Sequence, residues 1–122
     1  LDSPKLYVIT CEVTDENSVA AAVEKVSEIV DGKGLDILIS NAVVKHRVPL
    51  NGDVTVAMDQ LEVNVVGSLL MATRFHGLLK RAADLNGSSQ IINVSSASGS
   101  LELALDVNCR QTPYLKLANA VL

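Results

Sequence analysis

The spacing of apolar and polar positions divides this chain into strand-length runs and longer helical stretches. Lys5–Val13 is short and rich in β-branched residues, which predicts a strand. Thr14 or Asp15 is suited to cap a helix, with Glu16 in the first turn to complement the helix dipole. Val19, Val23, Val26, Ile29 and Val30 then keep helical spacing, while Glu24, Lys25 and Glu28 fall off that stripe. Gly32 and Gly34 stop the helix. Leu35–Ser40 reads as a second, buried strand. Strand, helix and strand in this order predict a parallel crossover with a right-handed connection.

Asn41–Val56 is irregular, with Pro49, Asn51 and Gly52 as turn residues. A long helical pattern follows, roughly Ala57–Leu85, with Leu61, Val65, Leu69, Ala72, Phe75 and Leu79 on its buried side. Asn64 and Gly67 are poor helix formers within it. An Asn on an apolar face needs hydrogen-bond partners, and a neighbouring loop is the plainest source. Asn86–Ser89 is a loop, and Gln90–Val94 is a third strand, apolar enough to be buried on both faces. Ser95, Ser96 and Ser98 come where that strand would end. Open α/β sheets bind ligands beyond the carboxyl ends of their strands. A Ser/Gly cluster is equally what an ordinary loop looks like, and the stretch alone leaves both readings open. Ser100–Pro113 reads as a loop, and Tyr114–Leu122 begins another helix.

Composition narrows the class. The 122 residues suffice for one domain, and 48% of them are hydrophobic. With a mean hydropathy of +0.31, this is the composition of the middle of a larger α/β core. The net charge is −4 and there is no basic run, which argues against nucleic-acid and anionic-membrane partners. No apolar run approaches membrane-spanning length. Cys11 and Cys109 lie far apart, and free thiols in a reducing cytoplasm are the expectation. His46 and His76 are isolated, so no metal site is expected.

Several motifs in order resemble the short-chain dehydrogenase/reductase family, over nearly the whole chain as a middle segment. Cys11-Glu12-Val13-Thr14-Asp15 is similar to the family's segment ending its third strand. The resemblance puts Glu12 at the adenine end of the cofactor. Leu38-Ile39-Ser40-Asn41-Ala42-Val43 is similar to the Asn-Asn-Ala-Gly stretch after the fourth strand, with Asn41 and Ala42 cofactor-binding. Asn64-Val65-Val66-Gly67 resembles the motif of the catalytic Asn, and Asn93-Val94-Ser95-Ser96-Ala97-Ser98-Gly99 that of the catalytic Ser. The family's Ser lies three residues before the Gly, which selects Ser96. Tyr114 falls at the catalytic Tyr. The long loop before it, with Gly99-Ser100-Leu101-Glu102, looks most like the branch of the sniffer-type carbonyl reductases.

The fold this implies is a single, partial Rossmann-like α/β domain over residues 1–122, with three parallel strands and flanking helices. The implied activity is hydride transfer between NADP(H), or NAD(H), and a small-molecule carbonyl. In that scheme Tyr114 gives the proton, Ser96 bonds the carbonyl oxygen and Asn64 holds a relay water. The helices around Asn64 and Tyr114 would form a homo-oligomer contact, with Leu70, Phe75, Leu117 and Val121 as candidate contributors.

Three departures bear on activity. Ala118 stands four residues after Tyr114, where the family has a Lys that lowers the Tyr pKa. Bringing a phenol from about 10 to about 7 takes roughly 4 kcal/mol. Lys116 is two residues on, and helical residues at that spacing point about 200° apart. Val43 and Ser40 replace a Gly and an Asn of the Asn-Asn-Ala-Gly stretch. No G-x-G-x-x-G occurs, so the turn that cradles a pyrophosphate is not seen in the sequence. Impaired catalysis, or a non-catalytic form acting as an interaction module, stands beside the enzymatic reading. A flavodoxin-like binding domain would explain the strand–helix alternation, but not Asn64, Ser96 and Tyr114 in order.

Overall fold

Asp15 decides where the first helix begins. In the computed structural model, which describes residues 6–45, 54–97, 100 and 102, its carboxylate accepts the N–H groups of Asn17 at 2.8 Å and Ser18 at 3.3 Å. These are donors that a helix start leaves without intrahelical partners. Helix α1 runs Glu16–Val30 and ends on Asp31, left-handed at φ 47°, whose N–H donates to the Ser27 carbonyl. Strand β1 is Ile37–Ser40. Helix α2, Val54–Leu61, passes through a π turn, Glu62–Gly67, into helix α3, Ser68–Asn86. Gly87 caps α3 in the left-handed conformation, and strand β2 is Gln90–Asn93.

The two strands pair in parallel, with Ile37 opposite Gln90 and Ser40 opposite Asn93. Backbone bonds from Gln90 N–H to the Asp36 carbonyl (2.8 Å) and from Val94 N–H to the Ser40 carbonyl (3.0 Å) extend the register at both ends. Val19 and Ala22 of α1, Leu38 of β1, and Phe75 and Leu79 of α3 form one buried cluster. Both helices therefore cover the sheet face that Leu38 points to. Ile37 and Ile39 point to the other face, as alternation requires, and are 48% and 59% exposed.

Helix α3 approaches the sheet closely because Gly34 has no side chain. A Cβ there would lie 2.4 Å from the Ala82 nitrogen and 2.6 Å from the Leu78 oxygen. The Leu35 N–H donates to that same Leu78 carbonyl at 2.9 Å. Arg81 Nε reaches the Gly32 carbonyl at 3.0 Å, and an exposed ion pair joins Arg74 to Glu16 across α3 and α1.

The partial Rossmann-like α/β class holds, with differences in detail. Among the described residues two strands are present, not three: residues 6–13 make no ladder, because a strand requires a neighbour to share hydrogen bonds with. Ile9 and Cys11 of that segment nonetheless pack against the core. Strand β2 is exposed along its length rather than buried on both faces, since the buried cluster under the sheet centres on Leu38 of β1 and includes no residue of β2. The long helix starts at Val54 rather than Ala57. Over Val54–Asn86 it is long and apolar enough to cross a membrane by length and composition, contrary to the sequence expectation. The buried residues of α3 are Phe75, Leu79 and Ala82, toward its C-terminal half. The expected helix Tyr114–Leu122 lies outside the described residues.

Candidate active site

Parallel pairing in register carries the ends of β1 and β2 out at the same edge of the sheet. Residues 41–44 leave from one strand and 94–96 from the other. The helix between them crosses back over this edge, so Asn64 comes to stand above it. A cleft of about 480 Å³ results, lined by Asn41, Ala42 and Val43 from the first loop, Asn64 and Ser68 from the helix, and Ser95 and Ser96 from the second loop. A volume of this size suits a small organic ligand.

Asn64 is held firmly in this arrangement. Its Oδ1 accepts the Val44 N–H at 2.9 Å and its Nδ2 donates to the Val44 carbonyl at 2.9 Å. Both halves of the amide are thereby satisfied by one residue of the loop after β1, and the loop's backbone is satisfied in return. The partner that an Asn on this helix needs is the neighbouring loop. The π turn carries the poor helix formers Asn64 and Gly67, and π turns occur frequently at functional sites. A Cβ on Gly67 would stand 3.0 Å from Val13 Cγ2 and 3.3 Å from the Val13 oxygen. Gly67 thus lets the segment carrying Glu12 and Val13 pass close to the turn.

Of the residues singled out in the sequence, the cleft joins Asn41, Ala42, Asn64 and Ser96. Glu12 is not among its lining. The Glu12 carboxylate accepts the Thr14 N–H at 3.3 Å and the Thr14 hydroxyl at 3.0 Å, and the Glu12 N–H donates to Ser18 Oγ at 2.8 Å. Tyr114, Lys116 and Ala118 lie outside the described residues, as do Ser98 and Gly99. Phe75 is buried at 4% exposure, and Leu70, partly buried, packs against the same core. Leu117 and Val121 lie outside the described residues. Sequence reasoning passed over Ser68, which lines the cleft four residues after Asn64; Ser40, noted there only as a departure from the family stretch, also lines the cleft, and its hydroxyl is buried without a hydrogen-bond partner. The i, i+4 spacing from Asn64 was the available signal for Ser68.

No charged side chain lines the cleft among the described residues. Proton transfer there would fall to hydroxyl groups. Close by, the Cys11 thiol faces the Met71 sulfur at 3.9 Å, and its pKa is raised by burial and then by the Glu12 charge.

A family model described as short chain dehydrogenase matches residues 1–107. This chain belongs to that family. Human retinol dehydrogenase 16 is 33% identical over 83% of this chain and 31% of its own length. The NADPH-dependent 3-dehydrocapnine reductase of Ornithobacterium rhinotracheale is 29% identical over 76% of this chain and 33% of its own. Among solved structures, NADPH-bound carbonyl reductase from chicken fatty liver superposes with a TM-score of 0.80 at 28% identity, over 95% of this chain and 48% of that one. The Sniffer chain of Caenorhabditis elegans gives 0.73 at 32% identity, over 79% and 44%. The chain spans about a third of the curated relatives it matches and under half of these two structures. Membership places it in a family of oxidoreductases that use a nicotinamide cofactor.

The cleft's donor set fits the nicotinamide end of such a cofactor. Hydroxyl and amide groups from two strand ends face an apolar helix side formed by Val65, Leu69 and Ala72, and no fixed charge competes. Of the residues that the family resemblance gives to the cofactor, Asn41 and Ala42 line this cleft.

Proposed function

We propose that this chain carries the nicotinamide and carbonyl side of a carbonyl reductase active site, with NADP(H) as cofactor and a small-molecule carbonyl as substrate. A reduced nicotinamide, when bound, supplies the hydride. Ser96 donates a hydrogen bond to the substrate's carbonyl oxygen, which gains negative charge as hydride reaches the carbon. Tyr114 delivers the proton to that oxygen. Asn64 fixes the loop carrying Asn41 and Ala42, and so the wall against which the ring lies. The observation that carries this reading is the meeting of Asn41, Ala42, Asn64 and Ser96 in one cleft. Ala118, in the place of the family's Lys, weighs toward impaired proton transfer in this chain.

The test is a titration of the isotopically labelled chain with NADPH up to millimolar concentration, followed by NMR. The expected result is weak binding, undetected by calorimetry, with shifts concentrated at Asn41, Ala42 and Ser96. Shifts elsewhere, or none at millimolar NADPH, would overturn it.

A second reading, association with another copy of the chain, rests on the helix surface. Val54, Met58, Val65 and Leu69 are 71%, 58%, 45% and 66% exposed along α2, the π turn and α3. Light scattering tests it: a dimer that a Leu69→Glu variant dissolves is expected, and a well-folded monomer at all concentrations counts against it.

A further inference from the structure

The π turn sits where Asn64 must be aimed, and something has to keep it from relaxing to an ordinary α-helix. The Ser68 N–H, which in an α-helix would serve the Asn64 carbonyl, donates instead to the Val65 carbonyl. The Ser68 hydroxyl takes over, donating to the Asn64 carbonyl at 3.2 Å. Ser68 is partly buried and lines the cleft. We propose that Ser68 is a positioning residue: its hydroxyl holds the Asn64 carbonyl in the π turn and thereby keeps the Asn64 amide on Val44. This deepens the reading of the cleft as an active site and rests on it for its functional meaning.

The physical argument is one of rotation. Each residue of an α-helix turns the chain by about 100°. Removing the extra residue of the π turn would swing everything before it, Asn64 included, by about that much relative to α3. The two Val44 bonds, each 2.9 Å long, would not survive such a swing. A Ser hydroxyl bonded four residues back is a known means of bending a helix locally, and here it falls on the carbonyl whose ordinary amide partner has turned away. Gly67 fits the same design, because the turn brings it against Val13, where a Cβ would be crowded.

Amide hydrogen exchange in this chain tests the proposal without any cofactor, so its outcome is separate from that of the NADPH titration. In Ser68→Ala, exchange at the Val44 amide is expected to speed up about tenfold, the scale of one lost hydrogen bond. The Leu35 amide, bonded to the Leu78 carbonyl far from the turn, serves as the internal reference and should be unchanged. Ser68→Thr keeps the hydroxyl and should restore slow exchange at Val44, whereas Ser68→Val, of the same shape without the hydroxyl, should not. Should Ser68→Ala fail to fold, the Thr and Val variants decide by themselves. Equal Val44 exchange in Ser68→Thr and Ser68→Val, or acceleration of Val44 and Leu35 together, would overturn the proposal.

Discussion

Replacing Asn64 with Asp separates the two halves of its clamp on Val44. The acceptor half survives, because a carboxylate oxygen still receives the Val44 N–H, 2.9 Å away in the native geometry. The donor half is lost: an oxygen now stands where Nδ2 was, 2.9 Å from the Val44 carbonyl. One net hydrogen bond is worth about 1 kcal/mol, and a carbonyl left without its donor costs about 1–3 kcal/mol more. Val44 is only partly buried, so water offsets some of this. A loss of about 2–3 kcal/mol at pH 7 is expected, a large share of a small domain's stability. Acid should reverse it. A protonated carboxyl carries an O–H that can donate to the Val44 carbonyl, so the fold favours the protonated form and raises the carboxyl above the ordinary value of about 3.9. Between those two values the folded variant binds more protons than the unfolded chain, so its stability falls as pH rises through the window. The assay is urea unfolding of the native chain and of Asn64→Asp at pH 7 and pH 4. The deficit should shrink to under about 1 kcal/mol at pH 4. An equal deficit at both pH values, or none at pH 7, would refute the reasoning.

Gly34→Ala should cost at least about 2 kcal/mol more than Gly32→Ala in the same unfolding assay. Both glycines lie at positive φ, but only the Gly34 Cβ would strike backbone atoms of α3. Asp15→Ala, which removes the cap on α1, should destabilise by about 1 kcal/mol, and Asp15→Asn should retain most of that. The Cys11 thiol should alkylate more slowly at pH 8 in the folded chain than after unfolding, because burial and then the Glu12 charge disfavour the thiolate. Glu12→Gln removes the second cause and should raise the folded-state rate in a thiol-labelling time course. Unchanged kinetics would discard the electrostatic contribution.

The helices were legible because each is fixed by local chemistry. The Asp15 cap, the stripe from Val19 to Val30 and the glycines after it are all short-range signals, and α1 follows them to within a residue or so. Strand pairing is not local. Lys5–Val13 has the composition of a strand, yet a ladder needs a partner, and no periodicity within the segment can supply one. The same holds for burial: Ile91 and Ile92 are apolar enough for a core, but what covers them is decided by other elements. At the site, Asn64 could be flagged from its polarity on an apolar face, and its loop partner was the plain expectation. That the partner would be both backbone groups of Val44 depends on the path of the loop in space. The π turn was visible only as two poor helix formers, because a single turn, Glu62–Gly67, is too short to impress a period on the sequence.

The register of the two strands links the fold to the site. The bond from Val94 N–H to the Ser40 carbonyl sets which residues leave the sheet together. It brings Asn41 to Val44 level with Val94 to Ser96, so the Ser96 loop and the loop clamped by Asn64 face one cleft. A slip of one residue along β2 would turn Ile91, which shares the covered face with Leu38, to the opposite side and shift Ser96 by about 3.3 Å. Close packing of α3 through Gly34 opposes such a slip, because the helix that buries Leu38 is the same helix that carries Asn64. Stability and site geometry therefore share the same contacts. Substitutions that loosen α3 on the sheet, such as Gly34→Ala, should disturb the cleft even though Gly34 itself does not line it.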